Sequence, residues 1–167
     1  MKKCVSVFLI IAALVSNAQQ DSMQPPYKRF PTLPPFHILL SDSSSVYAKA
    51  QLPKKTPVLF MVFSPDCSHC QHEAEELVKR KNELKDLQVV MVTLQSLKDM
   101  NNFIERYGLR EIDNLVVGKD MYYLFPSFYD FRNLPFHALY NKKGDLVTIF
   151  EGSVGLDKVL ETFRQQR

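Results

Sequence analysis

Six apolar residues run without interruption from Val58 to Phe63 (Val-Leu-Phe-Met-Val-Phe), and the chain changes its periodicity immediately afterwards. A strand with one face in water alternates apolar and polar residues, so the unbroken run predicts a central strand covered on both faces. Ser64-Pro65-Asp66 then offers helix-capping chemistry. From Cys67 the apolar positions Cys70, Ala74, Leu77 and Leu84 share one stripe, which predicts a helix of up to about five turns. The pattern repeats: Leu87 to Leu94 reads as a second buried strand, and Ser96 opens an amphipathic helix carrying Leu97, Met100, Ile104 and Tyr107, ended by Gly108. Two such units in succession imply parallel strands joined by right-handed crossovers.

The flanking segments complete a mixed sheet. Phe36 to Leu40 reads as an edge strand, followed by a polar turn at Ser41 to Ser45. Asn114 to Gly118 is a short strand candidate, and Met121 to Phe131 an aromatic-rich segment with a helix broken around Pro126. Phe136 to Tyr140 and Leu146 to Phe150 flank Asn141-Lys-Lys-Gly-Asp145 as an antiparallel hairpin. Leu156, Val159, Leu160 and Phe163 then form the stripe of a last helix. The order implies an α/β fold with a mixed central sheet and helices on both faces.

At 46% hydrophobic residues and 167 residues in all, the chain fits one compact domain and excludes collagen-like, coiled-coil and disordered classes. Lys2 and Lys3, an apolar run from Val5 to Val15, and the small residues Ser16 and Ala18 read as a cleaved secretory signal peptide over 1–18. The run is too short for a bilayer-spanning helix, so no stable membrane anchor is expected after cleavage, and a periplasmic or secreted location follows. The net charge of +3 falls to +1 once the two leader lysines are set aside, which leaves no electrostatic footprint for nucleic acid. Residues 19–35 form a Pro-rich arm or tether in which Pro25, Pro26, Pro31, Pro34 and Pro35 favour extended backbone. The domain proper is expected over 36–167.

Cleavage would remove Cys4 and leave Cys67 and Cys70 in a compartment where disulfides persist. Their Cys-Ser-His-Cys spacing falls at the junction between a buried strand and the first turn of a helix. Unpaired backbone amides and the positive end of the helix dipole would stabilise a Cys67 thiolate, making Cys67 the nucleophile. Cys70, one turn in, would be shielded and resolve a mixed disulfide. His69, when protonated, would add positive charge beside Cys67 and favour the reduced form. Asp66 would oppose it, or cap the helix instead.

These residues, with Leu134-Pro135-Phe-His137-Ala-Leu-Tyr-Asn-Lys-Lys-Gly-Asp145, resemble the thioredoxin superfamily over about Pro34 to Phe163, and within it the secreted TlpA/ResA-like thiol-disulfide oxidoreductases. The resemblance implies a thioredoxin-like three-layer fold. It also implies that Pro135 follows a cis peptide bond and packs against the cysteine pair, exposing a backbone edge to substrate. Glu73 matches an acidic residue that many TlpA-like members carry three positions after the second cysteine; a solvated helix glutamate is the other reading. The chain departs from the pattern at Asp66, where an aromatic is usual, at Met61, where thioredoxin has a buried acid, and at Glu75, where a helix proline is expected.

The resulting expectation is a protein disulfide oxidoreductase in the cell envelope, reductase in direction, with Cys67, Cys70, His69 and Pro135 as its site. It would need no cofactor and act as a monomer on client proteins with dithiols or disulfides, recycled by a separate redox protein. The rivals are a DsbA-like oxidase and a copper-handling module using Cys67 and Cys70 with a histidine. A zinc site lacks a second Cys-rich pair. The remaining features have plainer readings: His137 as a satisfied core or edge histidine, Tyr122 to Phe131 as core packing, and Lys79-Arg80-Lys81 as a solvated helix face.

Overall fold

The computed structural model describes residues 24–165; the expected leader lies outside them. In chain order the elements are α1 (Pro26–Arg29), β1 (His37–Leu40), β2 (Val46–Ala48), β3 (Val58–Phe63), α2 (Ser68–Lys79), β4 (Gln88–Thr93), α3 (Leu97–Arg106), β5 (Leu115–Asp120), α4 (Leu124–Tyr129), β6 (Phe136–Tyr140), β7 (Leu146–Glu151) and α5 (Leu156–Arg164). One seven-stranded sheet runs β2-β1-β5-β4-β3-β6-β7. Strands β3, β4 and β5 are parallel, and the remaining neighbours pair antiparallel.

The alternation hidden in the apolar run of β3 appears in the two cores. Leu59, Met61 and Phe63 point to one face and Val58, Phe60 and Val62 to the other, as the period of two requires. Successive crossovers from β3 to β4 to β5 move in one direction across the sheet, so right-handed connections put α2 and α3 on the same side. Helix α5 joins them through Leu156, Val159, Leu160 and Phe163. Phe125 and Tyr129 of α4, with Tyr27 of α1, cover the opposite face. The fold is therefore the expected three-layer, thioredoxin-like α/β arrangement. Each fully buried large apolar side chain contributes about 1.5–3 kcal/mol relative to exposure.

Several local expectations change in the folded chain. Strand β1 is internal, held between β2 and β5, because the segment after the Ser41–Ser45 turn returns as β2 and takes the edge. Helix α2 stops at Lys79, and Leu84 reaches the core from a separate 3-10 turn over Lys81–Leu84. Pro126 does not break α4: it occupies the first turn, where its missing N–H has no intrahelical partner to lose. The Pro-rich arm contains the helical turn α1 rather than extended backbone throughout, and Thr32 bridges to Asp145. Within the aromatic segment Phe125 and Tyr129 are core residues, whereas Tyr122 is 81% exposed and Tyr123 is also exposed. Arg80 is no solvated bystander, since it pairs with Glu83 at 2.8 Å and reaches Asp157 of α5 at 2.5 Å.

Candidate active site

The end of β3 delivers the chain to the N-terminus of α2, and the capping is done by a sulfur. Cys67 is the N-cap of α2, and the Cys70 N–H donates to Cys67 Sγ at 3.3 Å. Asp66, exposed beside it, is not the cap. The turn is fixed by Cys67 N–H donating to the Ser64 carbonyl at 3.1 Å and by the Gln71 side chain donating to the Pro65 carbonyl at 2.7 Å. An acceptor at this position faces otherwise unpaired amides and the positive end of the helix dipole.

The two sulfurs differ in environment. Cys67 is half-buried and Cys70 is 0% exposed, and both are free thiols. Burial above all, and then the hydrogen bond with Cys67, push the Cys70 thiol far above its ordinary range. Cys70 is therefore held protonated at neutral pH, with Cys67 facing outward in front of it.

Residues far along the chain complete the surroundings. The Leu134–Pro135 peptide bond is cis, and Cys67 Sγ donates to the Leu134 carbonyl at 3.8 Å, which brings the start of β6 to the cysteine pair. His69 is exposed and lines a groove with His72, Glu73, Glu76, Gly155 and Asp157. Glu73 is no solvated helix residue: only 5% of it is exposed. His137 is a core residue of an internal strand, but it is not satisfied in the expected way. Its Nε2 lies 2.7 Å from Glu73 Oε1, an ion-pair distance made outside hydrogen-bond alignment, and neither ring nitrogen has a hydrogen-bond partner. The sequence singled out both residues without joining them; His137 stands out as a polar residue between the apolar Phe136 and Ala138, whereas Glu73 lies in a polar stretch that carries no such signal. Among the described residues, no group of three or more His, Cys, Asp and Glu side chains is arranged to hold a metal ion.

The chain is matched by a family model and, in its fold, by solved structures. The AhpC/TSA family model matches residues 32–154. The chain belongs to the AhpC/TSA family. It is accordingly a thioredoxin-like redox protein, although this match does not single out the TlpA/ResA-like branch. No curated protein matches it in sequence. Among solved structures it is similar to a secreted Mycobacterium tuberculosis disulfide oxidoreductase homologous to E. coli DsbE, at 18% identity and a TM-score of 0.65, covering 78% of this chain and 95% of that one. A putative thioredoxin from Neisseria meningitidis matches at 20% identity and a TM-score of 0.65, covering 80% and 87%. A peroxiredoxin-like protein from Aquifex aeolicus matches at 14% identity and a TM-score of 0.65, covering 81% and 85%. At these identities the structural likeness establishes the fold.

Proposed function

We propose that this AhpC/TSA-family protein is a TlpA/ResA-like thiol-disulfide oxidoreductase that reduces protein disulfides in the cell envelope. The observation that carries the reading is the division of labour between the sulfurs: Cys67 outward on the helix N-terminus, Cys70 buried one turn behind and protonated. The Cys67 thiolate attacks a client disulfide and forms a mixed disulfide, and one client sulfur leaves as a thiolate. Cys70 then attacks Cys67 Sγ, closing the intramolecular disulfide and releasing the second client sulfur. A separate dithiol protein returns the pair to its reduced state. The Leu134 carbonyl beside Cys67 would offer backbone to an extended client segment, and Pro135 would shape that edge. His69, exposed and two residues along the chain from Cys67, would favour the thiolate when protonated.

The envelope location is supported by the leader-like sequence of residues 1–18 and by structural neighbours described as secreted or as an exposed lipoprotein. The reductive direction rests on the overall resemblance. Two measurements test the reading. Cys70→Ala should accumulate mixed disulfides with envelope proteins through Cys67, and Cys67→Ala should accumulate none. The equilibrium potential should lie nearer that of thioredoxin, about −270 mV, than that of DsbA, about −120 mV. A value at the DsbA end would replace the reductase with an oxidase, and rapid peroxide consumption without disulfide reduction would replace both with a peroxidase.

A further inference from the structure

A carboxylate taken out of water must find hydrogen-bond donors. Asp120, the last residue of β5, is 2% exposed and finds them in the backbone that follows. Its Oδ1 accepts from the Tyr122 N–H at 3.1 Å and its Oδ2 from the Phe125 N–H at 2.9 Å. Between those bonds Tyr123 takes a left-handed backbone with φ 55°, a conformation that a residue with a Cβ holds only where its surroundings impose it. The turn so pinned directs its side chains outward: Met121 is 48% exposed, Tyr122 81% and Tyr123 61%. Phe30, Val46 and Val154, the other exposed large apolar residues described, stand singly along the chain, whereas these three are consecutive and form a patch. Tyrosine offers a large, rigid contact area at little cost in rotamer freedom, and methionine adapts to varied partners.

The sheet register puts this turn on the reactive edge. Phe63 of β3, Thr93 of β4 and Lys119 of β5 lie side by side on three parallel strands. The turns after β3 and β5 therefore leave the sheet at the same end. The first carries Cys67 and the second carries Met121, Tyr122 and Tyr123. Two strand spacings, about 10 Å, separate the strand ends, and an extended chain covers about 3.3 Å per residue. A client segment held at Cys67 crosses that gap in about three residues and reaches the far side of the patch within about five.

We propose that Met121, Tyr122 and Tyr123 are specificity-determining residues: they bind an apolar or aromatic side chain of an extended client, about three to five residues along from the cysteine that Cys67 attacks. The inference rests on the oxidoreductase reading above and names its substrate class. That class is unfolded polypeptide in which an aromatic or large aliphatic residue accompanies the cysteine. A folded client buries most such side chains, whereas an extended one brings the cysteine and its neighbour to the two turns together. Selection here is by apolar area, since the patch itself carries no charged side chain.

Peptides with one cysteine, held as its mixed disulfide with thionitrobenzoate, test this. The Cys67 thiolate attacks the peptide sulfur, a Cys67–peptide disulfide forms, and thionitrobenzoate leaves as a coloured thiolate. In a Gly/Ser background, a single Tyr is moved from one to about eight residues from the cysteine on either side. Each rate constant is divided by that of the same peptide with glutathione. Reduced full-length protein should prefer the Tyr peptide over the Tyr-free one about fivefold at three to five residues on one side, and not at one or eight. Leu should keep part of that preference and Glu none. Tyr122→Ser combined with Tyr123→Asn, Asn being tolerant of a left-handed backbone, should bring the ratio to about one. No dependence on Tyr position, or a preference that survives in the double variant, overturns the inference and leaves the oxidoreductase reading standing. So does a wild-type dimer, or binding to phospholipid vesicles, that the double variant loses while the peptide ratio stays as it was; the patch then belongs to a second copy or to lipid. No thionitrobenzoate release from any peptide by the wild type overturns both. The wild-type position scan decides the matter even where the variant does not fold.

Discussion

Cys70 shows how one buried atom writes a pH dependence into the whole protein. Its thiol binds a proton more tightly in the folded chain than in the unfolded one, where the ordinary value is 9.0, because burial and the Cys67 hydrogen bond favour the neutral form. The reduced fold therefore has this stabilisation in full below pH 9 and loses it as the pH rises further. Urea midpoints of the reduced protein should fall between pH 9 and pH 10, and those of Cys70→Ala should fall less. Accessibility predicts a second outcome. Native reduced protein should take up one equivalent of iodoacetamide rapidly at pH 8, on Cys67 by mass spectrometry, and two only after denaturation. The sequence made the order of the two cysteines legible, since helix position alone puts one at the tip and one a turn inside. It left Glu73 open between a match to the TlpA-like acidic position and a solvated helix glutamate, because what buries it includes His137 of β6, remote in the chain.

At the scale of elements, legibility followed locality. Helix α3 begins where Ser96 announces it, with the Asp99 N–H donating to Ser96 Oγ at 3.1 Å, and it gives way at Gly108, whose φ of 65° suits a residue without a Cβ. The end of α2 was not legible, since no glycine or proline marks it. Arg80, at its C-cap, is engaged by Glu83 and by Asp157 of α5, contacts that depend on the tertiary arrangement. Helix α4 is tied to β6 by Tyr129 and Tyr140, both buried, whose hydroxyls meet at 2.6 Å. Removing one hydroxyl strands the other, so Tyr129→Phe or Tyr140→Phe alone should cost about 1–3 kcal/mol. The double variant should cost less than the sum, and a double-mutant cycle in urea should return a coupling of about 0.5–3 kcal/mol.

For the molecule as a whole, the arm before β1 belongs to the folded body. Leu33 N–H donates to the Gly144 carbonyl at 2.9 Å, Leu146 N–H to the Pro31 carbonyl at 2.8 Å, and Tyr27 packs on Tyr129 with ring centroids 6.0 Å apart. Tyr27→Ala combined with Leu33→Ala should lower the Tm by about 5–10 °C while leaving the rate of disulfide reduction unchanged, because the arm covers the sheet face opposite α2. Close approach also matters between β1 and β5: a Cβ on Gly118 would come within 2.7 Å of the Ile38 side chain, so this glycine is set by tertiary packing and not by a turn. The sequence by itself determined the strand-to-helix junction, the parallel units and the hairpin, because each is written in the periodicity and capping of consecutive residues. Only the tertiary structure decided that β1 lies inside the sheet, that the Leu134 carbonyl meets Cys67, and that Glu73 meets His137. Those contacts join residues remote in the chain, and their partners are chosen by which apolar faces must be covered together.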